Sequence, residues 1–172
     1  MDWIQTFSGA KFRPGAPRPE DFAIADIAHS LSLLCRFNGH CRCFYSVAEH
    51  SVRVSSACPP DHALWGLLHD LGEAYLGDMP RPIKLGFPAF EQAEQRLVRT
   101  ACEAFGLTWP MPPEVKQADD ALLATEMRDL MAPPPEDWRL REAPLDGRIE
   151  PWSAEQAERA FLARYHELSG GA

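Results

Sequence analysis

The stretch His69-Asp70-Leu71-Gly72-Glu73 gathers an imidazole and two carboxylates close together. At roughly 100° per residue an α-helix would carry His69, Glu73 and Asp70 at about 0°, 40° and 100°, so all three share one face. Leu64, Leu67, Leu68, Leu71 and Tyr75 fall on the opposite face, the one that would pack on a core. Two acids and an imidazole on one side can meet a divalent cation; the competing reading is a solvated polar face. Asp119 lies within the apolar stripe Val115, Ala118, Leu122 and Leu123. A carboxylate on a face expected to be buried is costly unless a partner or a metal answers it. An interior arginine is one such partner, and Asp120 competes with Asp119, because spacing alone does not separate them. His50 falls in the first turn of a helix near Val47 and Val54, where a lone histidine is also at home as a hydrogen-bonded core residue. Two His and two Asp on three helices make a mixed N/O set for one transition-metal ion.

The elements that must position these groups are helical. Residues 8–21 are rich in Gly and Pro and read as an irregular N-terminal segment, with a short hairpin before it. From Ile24 the apolar residues Ile27, Ala28, Leu31, Leu34 and Cys35 recur at helical spacing, with Arg36 at that helix's end. Ser46-Val-Ala-Glu49 is a capping-box pattern that starts a second helix at Val47, ending near Cys58. After Pro59-Pro60, Asp61 can cap a third helix through Leu76, which Pro80 and Pro82 prevent from continuing. Further helices are predicted over Pro88 to Phe105, Glu114 to Met131 and, after the capping box Ser153-Ala-Glu-Gln156, to Leu168. Residues 132–150, with four prolines, read as a long loop. No segment alternates with period two, so the fold class is all-α. A single domain over residues 1–172 is expected, a bundle of five or six helices with its core at about 24–131.

Composition narrows the partners. The 172 residues carry a net charge of −8, which disfavours a polymeric nucleic acid held by a basic field. A small phosphorylated ligand remains compatible, since a bound cation and a few local arginines outweigh the global charge. The opening residues carry no charged segment followed by an apolar run, and no stretch is apolar enough for a membrane span. Cys35, Cys41, Cys43, Cys58 and Cys102 are odd in number and read as free thiols in a reducing compartment. The single residue between Cys41 and Cys43 does not fit a zinc knuckle. A cytoplasmic protein without membrane contact is the expectation.

His50, His69-Asp70 and Asp119 together resemble the H…HD…D signature of the HD-domain superfamily of metal-dependent phosphohydrolases. Ser46-Val-Ala-Glu-His50-Ser51 resembles the first-histidine motif of its 5'-deoxynucleotidase subgroup. The run from His69 through Gly77-Asp78-Met-Pro80-Arg-Pro82-Ile-Lys84 resembles H-D-x-x-E-x-x-x-G-D-x-P-x-P-x-K. Lys116-Gln-Ala-Asp119 resembles the segment bearing the last ligand, which favours Asp119 over Asp120. A small phage dATP triphosphohydrolase group shares the same scaffold. The likeness covers roughly residues 24–131.

The resemblance implies one divalent ion (Mn, Co, Zn, Fe or Mg) on His50, His69, Asp70 and Asp119. It also implies acid–base roles for Glu73 and Asp78 and a phosphate site lined by Arg36 and Lys84, with a homo-oligomer, dimer or larger, as the assembly. Phe37 stands where the deoxynucleotidases carry Trp, so an aromatic surface for base or sugar is retained while base preference is not carried over. No histidine lies between Asp70 and Asp119, whereas two-metal members place extra histidines there, so one ion is expected. The expected activity is hydrolysis of a nucleotide phosphate ester, a 5'-deoxynucleoside monophosphate ahead of a triphosphate; a non-catalytic nucleotide-binding module is the alternative.

Overall fold

A computed structural model describes residues 2–170. Two short antiparallel strands, β1 (Ile4–Gln5) and β2 (Lys11–Phe12), pair with Ile4 opposite Phe12. Everything else that is regular is helical: α1 (Ile24–Leu33), α2 (Val47–Ala57), α3 (Ala63–Leu68), α4 (Glu73–Leu76), α5 (Arg81–Lys84), α6 (Pro88–Phe105), α7 (Pro113–Leu130) and α8 (Ala154–Leu168). The all-α expectation holds. No helix among the described residues is long and apolar enough to cross a membrane.

α2 is the centre of the bundle, packed by α1, α3, α7 and α8. It is therefore buried nearly all round, and its buried residues include Glu49, His50, Ser51 and Ser55 beside Val47, Ala48, Val52 and Val54. Each buried polar group needs a partner. Ser46 caps the helix by accepting from the Glu49 backbone N–H at 3.1 Å. The Glu49 carboxylate does not close the predicted capping box; it accepts instead from Arg53 Nη2 at 2.7 Å and from the Trp152 N–H at 2.8 Å. That contact ties the start of α8 to the bundle. At α8 both halves of the Ser153–Gln156 box form.

Four local expectations need correction. The third helix is not continuous to Leu76: it breaks over residues 69–72 between α3 and α4. There the backbone bonds tighten to the three-residue kind, with Leu71 N donating to Leu68 O, Glu73 N to Asp70 O and Ala74 N to Leu71 O. At about 120° per residue such a turn stacks Glu73 beneath Asp70 rather than between it and His69. Asp61 does not cap this helix; it lies in a 3-10 turn over Pro60–His62. The prolines at 80 and 82 end one helix, yet Pro82 sits in the first turn of α5, where its missing N–H costs nothing. Finally, α1 stops at Leu33, and Arg36 opens a separate turn, Arg36–Gly39, in which Phe37 (φ 55°) and Asn38 (φ 50°) are left-handed. Cys35 bridges back to Ser46, and the Arg36 N–H donates to Tyr45 O at 2.9 Å, closing this loop onto the start of α2.

The N-terminal hairpin is pinned by Phe12, fully buried and stacked on Tyr75 of α4 with ring centroids 3.8 Å apart. The segment 132–150 contains no regular element but is anchored to α7. Leu145 N donates to Thr125 Oγ1 (2.8 Å), Ile149 N to Asp129 Oδ2 (2.9 Å), and Arg128 donates to the carbonyls of Leu145 and Gly147.

α3 approaches α2 closely because Gly66 has no side chain: a Cβ there would meet Cys58 Sγ at 2.7 Å and Ser55 Cα at 3.0 Å. Backbone cannot yield as a side chain can. Gly66→Ala is expected to lower stability by about 1–3 kcal/mol, measured by urea unfolding; an unchanged midpoint would show that this spacing is not limiting. Asp129 offers a second test. Its hydrogen bond to Arg128, working against burial, holds the Asp129 carboxyl down to about 2. A carboxyl depressed in the folded state contributes stability that is present above its unfolded value and is lost as pH falls through the folded one. Asp129→Asn is expected to cost about 1–3 kcal/mol at neutral pH, with the deficit shrinking between roughly pH 4 and pH 2; a deficit constant across that range would contradict the assignment.

Candidate metal centre

α2 delivers His50, the end of α3 delivers His69 and Asp70, and α7 delivers Asp119. His50 Nε2 lies 3.3 Å from His69 Nε2 and 3.3 Å from Asp119 Oδ1. Asp70 Oδ2 is 3.2 Å from His69 Nε2 and 3.5 Å from His50 Nε2, and His69 Nε2 to Asp119 Oδ1 is 3.9 Å. His50, His69 and Asp119 offer ligand atoms all within 4.8 Å of one another, a cluster that can hold a metal ion.

The hydrogen bonds behind the rings decide which nitrogen faces inward. His69 Nδ1 is 2.8 Å from the Gly66 carbonyl. A carbonyl only accepts, so Nδ1 carries the proton and Nε2 presents its lone pair to the cluster. His50 Nδ1 is 2.6 Å from Glu126 Oε1 inside the protein, and the same logic applies. This is the second layer of contacts that orients metal-binding imidazoles. Around one ion with ligand bonds of about 2.0–2.2 Å, neighbouring donors stand roughly 3.0–3.5 Å apart. The spacings found here are of that order, so His50, His69 and Asp119, with Asp70 beside them, could hold a metal ion.

The electrostatics of the cluster match. Burial works to raise Asp70 and Asp119, but the two imidazoles outweigh it, helped by Arg36 at Asp70 and by Lys116 at Asp119, and hold both carboxyls well below the usual range. Burial and the Arg36 charge lower His50; Glu126 and Asp119 more than reverse this, pushing it up to about 9. The pocket attracts positive charge.

The remaining predicted residues surround this point. Glu73 is 7% exposed, and its Oε2 is buried with no hydrogen-bond partner among the described residues. Burial, then the charges of Asp70 and Asp78, push its carboxyl well above the ordinary value. Asp78 is half-buried in the bend after α4 and is raised chiefly by burial, within electrostatic reach of Asp70, Arg36 and His50. Arg36 does not reach helix carbonyls; its Nη1 is 3.5 Å from Asp70 Oδ2 and its Nη2 3.2 Å from Glu126 Oε2. The Phe37 ring covers the Arg36 guanidinium at 5.4 Å and stands 6.3 Å from Trp138 of the 132–150 segment. Lys84 is held by both oxygens of Glu94 on α6, at 2.8 and 2.9 Å, rather than turned freely into the site. Lys116 pairs with both Asp119 and Asp120, and of the two it is Asp119 that also reaches His50, at 3.3 Å.

Two residues escaped the sequence reading. Trp138 lies in a segment without motif or periodicity. Glu126, fully buried, had a usable signal: it follows Asp119 by two helical turns, on the same apolar face, so the cost of a buried carboxylate applies to it equally.

No family model matches the sequence. Over 98% of its length, however, the chain is 38% identical to the uncharacterized protein YfdR of Escherichia coli (strain K12), covering 97% of that protein. The chain belongs to the YfdR family. A second relative, the uncharacterized protein RCAP_rcc00048 of Rhodobacter capsulatus, is 36% identical over 67% of this chain and 64% of its own length. The match to YfdR spans every element that builds the centre, from α1 to α7.

The division of labour between Asp119 and Asp120 can be measured directly. Asp119→Asn is expected to abolish Mn2+ uptake by titration calorimetry, while Asp120→Asn retains it; the reverse order would move the ligand to Asp120.

Proposed function

We propose that this protein is a divalent-metal-dependent phosphohydrolase of the HD-domain type that cleaves the phosphate ester of a nucleotide, foremost a 5'-deoxynucleoside monophosphate. One observation carries the reading: two imidazoles with their proton-bearing nitrogens turned away, and two carboxylates, converge on one point beside a buried, unpartnered Glu73. A bound divalent cation acidifies water and withdraws charge from a phosphoryl oxygen.

The chain's own residues supply the rest. Glu73 carries a carboxyl whose proton affinity is raised by burial and by Asp70, which suits it to take a proton from an attacking water. Asp78, on the bend beyond α4, is also raised and can return a proton to the leaving 5'-oxygen. Arg36 offers the transferred phosphoryl group a guanidinium already seated at the cluster. Phe37 and Trp138 give a nucleobase or sugar an apolar face at the rim.

The cations available favour a small anion. Lys84 is paired with Glu94, Lys116 with Asp119 and Asp120, and Arg36 with Asp70 and Glu126. These shared cations suit a monophosphate, whereas a triphosphate would call on further ones such as Arg42 and Arg81, which make no ion pair among the described residues.

Purified protein loaded with Mn2+, Co2+, Zn2+ or Mg2+ is expected to release inorganic phosphate from a deoxynucleoside monophosphate. Release of tripolyphosphate from a triphosphate would reassign the substrate, and no product from folded, metal-loaded protein would refute the proposal. Glu73→Gln is expected to keep its metal content while losing turnover by about 10²–10⁴-fold; a variant with normal rate would remove Glu73 from acid–base chemistry.

A further inference from the structure

Glu126 sits behind the metal centre and touches two of its members at once. One oxygen is 2.6 Å from His50 Nδ1, the other 3.2 Å from Arg36 Nη2, and the side chain is fully buried. Arg36 in turn reaches Asp70 through its other terminal nitrogen at 3.5 Å, and its Nε is buried with no partner among the described residues. Asp70 and Glu126 thus share the single guanidinium of Arg36, while Asp119, paired with Lys116, meets His50 from the other side.

We propose that Glu126 is a positioning residue that couples the cation site to the anion site: it fixes His50 for the cation and holds Arg36 so that phosphate binds only after the cation has arrived. The inference rests on the phosphohydrolase reading above and extends it to an order of binding.

The physical argument has two parts. At His50, a carboxylate accepting from Nδ1–H fixes the tautomer and makes the opposite nitrogen a better donor to a cation. At Arg36, the guanidinium charge is shared between Glu126 and Asp70. While Asp70 keeps its full negative charge, an incoming phosphate meets that carboxylate and finds the arginine already engaged. Were Asp70 engaged in holding a divalent ion, the Arg36 nitrogen facing it would be free to turn toward an anion, while Glu126 would keep the other terminal nitrogen in place. Remote control of this kind needs no movement larger than a change of hydrogen-bond partner.

Glu126→Gln is nearly isosteric and separates the two ends. The amide oxygen can still accept from His50 Nδ1–H, but the amide N–H₂ would point at Arg36, donor against donor. Titration calorimetry with Mn2+ alone, and then with inorganic phosphate in the presence and absence of Mn2+, reads the coupling without turnover. Wild-type protein is expected to bind phosphate only when Mn2+ is present. The variant, with its fold verified by circular dichroism, is expected to bind Mn2+ about 10–100-fold more weakly and to show weakened phosphate binding at saturating Mn2+. Nitrogen-15 NMR of wild-type protein loaded with diamagnetic Zn2+ adds a test that needs no variant: His50 is expected to carry its proton on Nδ1. If Glu126→Gln matched wild type for Mn2+, if phosphate bound equally well without Mn2+, or if His50 were the other tautomer, the inference would fall while the phosphohydrolase reading stood. If wild-type protein took up no cation, both would fall together.

Discussion

Lone pairs that point at one another cannot stay together without positive charge between them, and this molecule aims four donors at one point. The Gly66 carbonyl and the Glu126 carboxylate each hold an imidazole by its Nδ1, which leaves both Nε2 atoms facing inward 3.3 Å apart. Asp70 and Asp119 add carboxylates at similar distances. Such a constellation is stable only around a proton or a cation. Much of the surrounding architecture can be understood as what is needed to hold that arrangement rigid. α2 is central because His50 must be fully buried. α3 lies close to α2 through Gly66 because His69 must reach His50, and the same glycine supplies the carbonyl that orients His69.

The break between α3 and α4 has a chemical consequence. On a continuous helix His69 and Glu73 would be near neighbours on one face, with Asp70 to the side. The tighter turn over residues 69–72 places Glu73 behind Asp70 instead. The charge of Asp70 then adds to burial, and together they push the Glu73 carboxyl well above its ordinary value. A local departure from α-helical geometry thus accompanies opposite shifts in two neighbouring carboxyls, Asp70 held low and Glu73 pushed high.

How far the sequence foretold this differs by element. Long helices with apolar periodicity and clear punctuation, α6 and α7 between their prolines and α8 after its capping box, were legible to within a residue or so. The set His50, His69, Asp70 and Asp119 came from the resemblance of their motifs rather than from periodicity, and the fold brings the four side chains together. What was hidden depends on partners distant in sequence. Glu49 looked like half of a capping box, yet its carboxylate is claimed by Arg53 and by Trp152, about a hundred residues on. Lys84 looked free for phosphate, yet Glu94 holds it across the gap between α5 and α6. The break over residues 69–72 leaves the apolar spacing of the segment unchanged, so a periodicity argument does not detect it. Trp138 stood in a segment with no period at all, so only the fold brings it to Phe37.

Buried charge is also a liability to the fold. Glu49, His50, Arg36, Glu126 and Asp119 occupy positions at the seam between two apolar clusters, one joining α1, α2, α3 and α8 and the other built on α2, α3 and α7. Apolar residues of similar volume at such positions would commonly leave a protein as stable or more so. These groups are nonetheless arranged so that nearly every one answers another: Glu49 with Arg53, Glu126 with His50 and Arg36, Asp119 with His50 and Lys116. Glu73 and Arg36 are exceptions: one oxygen of Glu73 and the Nε of Arg36 are buried with no partner among the described residues. Arg36 touches Asp70 and Glu73 feels its charge, so these unsatisfied groups gather beside the donor cluster.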